Sequence, residues 1–143
     1  DLADHNIIVS NQKPVSASSN SLKVGFVDFD YCISDIFVHD LTSVLLRIGK
    51  SNNYNPQPAL MFLAEYENTL PLTKDERWLL WDYLRFPQDF WQMGLAFYEE
   101  IPSMNNCKHQ QSRRGRLDKR LTEYVDSTEK RYRFLQTLRS HII

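Results

Sequence analysis

Residues 24–30 read Val24-Gly25-Phe26-Val27-Asp28-Phe29-Asp30, a β-branched and aromatic run that ends in two acids. Ile7-Ile8-Val9 is a second run of the same kind, and Asp1-Leu2-Ala3-Asp4-His5-Asn6 stands directly before it. Between the two runs lie Ser10-Asn11-Gln12-Lys13-Pro14 and a serine-rich stretch through Ser21, so the pattern predicts two strands joined by a polar loop. A hairpin of this kind brings Asp1, Asn6 and Asp28 to one end. Phosphoryl transfer needs such a group: a carboxylate to orient a hydroxyl and accept its proton, and oxygen ligands for the Mg²⁺ that neutralises phosphate charge. Either piece alone is an ordinary turn rich in Asp and Asn. The combination carries the functional reading.

Outward from the hairpin the period changes from two to that of a helix. Phe37, Leu41, Val44, Leu45 and Ile48 fall on one face of a predicted helix that Gly49 closes, and a loop from Lys50 to Pro58 follows. A second helix is expected from Ala59 to Leu70. Thr73-Lys74-Asp75-Glu76 is a capping box, which opens a third through Arg85. Pro87, accommodated in a first turn, starts a fourth from Gln88 to about Glu100. Aromatic and aliphatic residues from Trp78 to Tyr98 surround these last two helices on nearly every side, a pattern that predicts burial of both. After a polar linker, Leu117, Leu121, Tyr124, Val125, Thr128, Tyr132, Leu135, Leu138 and Ile142 predict one long amphipathic helix. The expected fold class is therefore α+β and mostly helical.

Composition narrows the function. Eighteen acids against 17 bases leave a net charge of -1, which predicts no general attraction to nucleic acid or anionic membrane. The apolar runs are far shorter than the ~20 residues of a membrane span. The two cysteines, Cys32 and Cys107, are not in metal-type spacing and fit free thiols in a reducing compartment. Only four glycines occur, scattered singly. No glycine-rich phosphate loop can be written from them.

The pairing of D-x-x-x-x-N, Asp1 to Asn6, with a later Asp28-Phe29-Asp30 turn resembles the catalytic and metal loops of kinases. An acid at Asp30, where protein kinases carry glycine, points toward the aminoglycoside phosphotransferase and choline kinase superfamily. The run Phe26-Val27-Asp28-Phe29-Asp30-Tyr31-Cys32, then Asp35 and His39-Asp40-Leu41, is similar to CotS-type spore coat proteins within it. Leu84-Arg85-Phe86-Pro87-Gln88-Asp89-Phe90-Trp91 also resembles that family, and the likeness spans roughly residues 1 to 100.

The resemblance implies the C-terminal lobe of a protein-kinase-like fold, with the chain beginning inside its catalytic loop. It implies residues 1–101 as the lobe, while polarity and helical pattern alone give 102–116 as a linker and 117–143 as a helix packing on the lobe. Asp1 matches the catalytic base, Asn6 and Asp28 the metal ligands, Asp30 a helper of the metal site, and Asp40 a brace for the catalytic loop. Asp40 as a helix N-cap is the plainer alternative. Mg²⁺ and ATP are the implied cofactors, bound in a full-length parent whose N-terminal lobe covers the nucleotide. The fragment alone is expected to be inactive. The implied reaction moves the ATP γ-phosphate to the hydroxyl of a small-molecule acceptor.

The alternative is a catalytically silent component that keeps the fold and contacts other spore coat proteins. The expected location is cytoplasmic, or the spore coat if the CotS-type likeness holds. Other features have plainer readings. His5 is a loop residue, Trp78, Trp81, Trp91 and Tyr83 are core residues before they are a cage for a cation, and Lys108 to Arg120 is a solvated basic stretch. A nucleic-acid-binding role centred on residues 102–143 ranks last.

Overall fold

The computed structural model describes residues 6–11, 22–28, 36–100 and 107–143. Strands β1 (Ile7–Asn11) and β2 (Leu22–Phe26) pair antiparallel, Ile7 opposite Phe26 and Val9 opposite Val24. These apolar cross-strand pairs hold a two-stranded ribbon. Six helices follow among the described residues: α1 (Phe37–Ser51), α2 (Pro56–Thr69), α3 (Lys74–Arg85), α4 (Gln88–Glu100), α5 (Cys107–Asp126) and α6 (Thr128–Ile142). The described chain is mostly helical with one small sheet, an α+β arrangement.

One core unites α1, α2, α3 and α6. Val38, Leu41 and Leu45 from α1, Ala59 and Leu63 from α2, Leu72 from the following loop, Leu80, Trp81 and Leu84 from α3, and Phe134, Leu138 and Ile142 from α6 form a single buried cluster. Each large aliphatic side chain buried there contributes roughly 1.5–3 kcal/mol. Arg77 ties three of these helices together at the rim. Its Nη2 lies 2.5 Å from Glu67 Oε1 on α2, an ion pair by distance though not aligned as a hydrogen bond, and its Nη1 donates to Ile142 O on α6 at 3.3 Å.

The α1 face turned inward is Val38, Leu41, Thr42, Leu45 and Gly49. It is rotated from the expected face, so Phe37 is exposed. Gly49 does not close the helix, which runs on to Ser51 with Asn52 as its C-cap. Its hydrogen side chain instead gives room to the Phe134 ring. Asn53 and Tyr54 then take left-handed backbone conformations, φ 51° and 61°. Tyr54 is held there by its N–H donating to Gly49 O at 2.7 Å and by its ring meeting Phe134 edge-on.

Helix α2 starts three residues before the expected Ala59. Asn55 caps it, accepting from Gln57 N–H at 3.1 Å, and Pro56 occupies the first turn, where a missing N–H costs nothing. At α3 the capping box forms in full: Glu76 N–H donates to Thr73 Oγ1 at 3.3 Å, and Thr73 N–H donates to Glu76 Oε2 at 2.7 Å. The backbone and then the hydroxyl of Thr73 hold the Glu76 carboxyl below its ordinary pKa. Burial first, and the Glu76 charge second, push the Tyr66 hydroxyl up.

Burial of both central helices is only half right. Leu80, Trp81 and Leu84 of α3 are in the core, but α4 packs on α5, outside the four-helix cluster. Met93 is buried, while Phe90, Trp91 and Tyr98 are more than half exposed. Apolar residues on all sides of α4 thus leave one face uncovered.

The expected single C-terminal helix also differs. Helical structure begins at Cys107, within the stretch expected as linker, and is interrupted at Ser127. At this interruption Ser127 Oγ and Thr128 Oγ1 both donate to Tyr124 O at 3.1 Å. Leu138 and Ile142 of the expected stripe are in the core. Phe134, outside the expected stripe, is 1% exposed, whereas Val125 and Tyr132, inside it, are mostly exposed.

Candidate functional site at the hairpin end

Where β1 begins and β2 ends, Val27 N–H donates to Asn6 O at 3.0 Å. This bond continues the ladder one step past the Ile7–Phe26 pair. It sets Asn6 across from Val27, with Asp28 the next residue along the chain. Asn6 is buried, 9% exposed, and Asp28 is exposed. Asp28 has φ 64°, a left-handed conformation that costs a residue with a Cβ roughly 1–2 kcal/mol. The chain leaves the ladder at that residue, with a carboxylate there instead of the glycine that such a turn favours.

Two of the residues singled out by sequence, Asn6 and Asp28, therefore sit at the same end of the ribbon. Asp1 and Asp30 lie outside the described residues, as do His5 and Cys32. Asp40 stands in the first turn of α1, where a carboxylate interacts favourably with the helix dipole. It is not the N-cap. Ile36 holds that position and makes no side-chain cap bond.

The donor types at the hairpin end suit a hard cation. An amide oxygen and a carboxylate oxygen are among the groups Mg²⁺ accepts, since it takes one or two protein oxygens and keeps water and phosphate oxygens for the rest of its shell. Asn6 and Asp28 are the described residues that would hold it, and the ion would supply charge neutralisation to a phosphate.

Of the aromatic residues considered for a cage, Tyr83 and Trp91 line one apolar crevice together, and Trp78 and Trp81 are not part of it. Trp81 is in the core with the guanidinium groups of Arg85 and Arg139 5.8 and 5.6 Å from its ring, Tyr83 meets His39 edge-on, and Trp78 and Trp91 are exposed. Arg116, Lys119 and Arg120 are exposed on α5. That agrees with the reading of a solvated basic stretch. A gathering of positive charge lies elsewhere, in a cleft to which Arg47, Lys50, Arg85 and Arg131 contribute from three helices. Residues so far apart along the chain leave no local signal.

Compared with family models, with curated proteins and with solved structures, the chain matches none of them. Among the described residues, no helix is long and apolar enough to cross a membrane.

Proposed function

We propose that this chain is the larger-lobe part of a kinase-like phosphotransferase of the CotS type, which moves the ATP γ-phosphate to a small-molecule hydroxyl. The observation that carries the reading is the hairpin end, where the ladder bond from Val27 to Asn6 sets an asparagine beside an exposed aspartate in a left-handed turn. Strained non-glycine residues concentrate at functional sites, and a carboxylate kept at φ 64° fits a metal-loop aspartate. On this reading Asp1 accepts the proton of the acceptor hydroxyl, Asn6 and Asp28 hold Mg²⁺ with Asp30 assisting, and Asp40 braces the loop. Positioning and charge neutralisation supply most of the rate in such a reaction.

A second reading, a catalytically silent structural component of the spore coat, is favoured by a different observation. Phe90, Trp91, Tyr98, Val125 and Tyr132 are all more than half exposed, and aromatic surface of this kind suits protein contacts.

The deciding experiment is Mg·ATP binding by the full-length parent protein, measured by titration calorimetry with and without Asp28→Ala. Binding that weakens at least tenfold in the variant supports the phosphotransferase. Mg·ATP binding that ignores the substitution removes Asp28 from the site, and no binding at all favours the structural component.

A further inference from the structure

Between α1, the α3–α4 junction and α6 lies a cleft of about 540 Å³, well away in sequence from the hairpin. Its volume is in the range of small-molecule sites. Four of its lining residues are cationic, Arg47, Lys50, Arg85 and Arg131, against the carboxylate of Asp89. The adjoining crevice adds Arg120 and Glu123, which offset each other. In a chain whose net charge is -1, this is a local concentration of positive charge.

The pairing within the cleft is uneven. Lys50 Nζ lies 3.6 Å from Asp89 Oδ2, and Arg85 Nη1 lies 3.7 Å from Asp82 Oδ1, both exposed pairs of little strength. Arg131 differs. Its guanidinium carbon sits 3.8 Å from the centre of the Tyr124 ring, yet its Nη1 is buried and has no hydrogen-bond partner among the described residues. The ring face attracts the cation but offers no in-plane acceptor for that donor. A buried, charged donor left unpaired is costly, and a small turn of the guanidinium toward an anion in the cleft would give it an acceptor. Apolar walls from Leu46, Phe86, Pro87 and Leu135 complete the lining.

We infer that this cleft is a binding site for a small phosphate monoester with an apolar or planar body, its phosphate received by Arg131 and the neighbouring cations. A planar guanidinium meets phosphate oxygens through two parallel bonds, which a diffuse positive surface does not provide.

The test is titration of the protein with phenyl phosphate and with inorganic phosphate at low ionic strength. Saturable binding is expected for both, tighter for phenyl phosphate because of the apolar walls. Arg131→Gln should weaken phenyl phosphate at least tenfold. Arg133→Gln, on the exposed side of the same helix and paired with Glu129, should leave it unchanged. Should Arg131→Gln lose its helical circular dichroism, Lys50→Gln, at an exposed helix end, is expected to weaken binding several-fold without unfolding. Absence of saturable binding overturns the site. So does equal loss in Arg131→Gln and Arg133→Gln, which marks diffuse attraction, or undiminished binding in Lys50→Gln when that variant is the one read.

Discussion

The backbone of Gly49 lies directly beneath the ring of Phe134: a Cβ at residue 49 would come within 2.6 Å of Cζ and 2.9 Å of Cε1. Phe134 is buried by α1, α2 and α3 and cannot swing aside without opening the core. Gly49→Ala adds helix propensity worth ~1 kcal/mol, but overpacking of a tight site costs about 1–3 kcal/mol. A net loss is expected in urea unfolding, with the midpoint lowered and the slope unchanged. Combining Gly49→Ala with Phe134→Leu should cost less than the two separate losses together, since the smaller side chain relieves the clash.

The register of α6 gives a second expectation. Helical spacing on its own put Tyr132 and Leu138 on one buried stripe, but Leu138 is fully buried and Tyr132 is 62% exposed. Leu138→Ala should destabilise by about 2–5 kcal/mol and Tyr132→Ala by less than ~0.5 kcal/mol. Equal losses would contradict this orientation of α6.

At the start of α3, Thr73→Ala removes the hydroxyl that accepts from Glu76 N–H, and should cost about 0.5–2 kcal/mol. The pH dependence follows from the lowered pKa of Glu76, held down by the Thr73 backbone and then its hydroxyl. A carboxyl with a depressed folded pKa stabilises in full above its unfolded value and loses that contribution as pH falls through the folded one. The wild-type protein should therefore shed the advantage it holds over Glu76→Gln as pH drops through and below the ordinary glutamate range. Thermal melts of the two proteins across that range would check this, and a constant gap between them would dismiss the capping carboxylate.

Asp28 allows structure and chemistry to be separated. Asp28→Gly and Asp28→Ala both remove the carboxylate, but only glycine adopts φ 64° without penalty. The Val27 amide, bonded to Asn6 O, reports on the hairpin end by hydrogen exchange. Exchange should be slower in Asp28→Gly than in Asp28→Ala by the equivalent of about 1 kcal/mol, while both variants lose Mg²⁺ binding if the carboxylate is a ligand. Metal affinity that survives in Asp28→Gly would leave Asp28 only a turn residue.

Local signals were legible wherever the physics is local. The two β-branched runs and the polar stretch between them predicted a pairing that the ladder realises, Ile7 with Phe26 and Val9 with Val24. The Thr73–Glu76 box predicted the start of α3 to the residue, and Pro87 preceded α4 as expected. The cap of α2 was legible too, in Asn55-Pro56, but the apolar run at Ala59 drew the boundary inward. At the candidate site, the neighbourhood of Asn6 and Asp28 follows from strand pairing alone.

What the amino-acid order determined by itself was the elements, their capping and the hairpin, because turn chemistry and periodicity act within a few residues. Tertiary packing decided which faces are inside. It chose Phe134 over Tyr132, since α6 lies against α2 and α3 and only the side turned to them is covered, and it made Gly49 a seat for a ring instead of a helix end. It also left one side of α4 uncovered and drew Arg47, Lys50, Arg85 and Arg131 around one cleft. Burial and charge clustering are properties of residues distant along the chain, and no local pattern encodes which of them will meet.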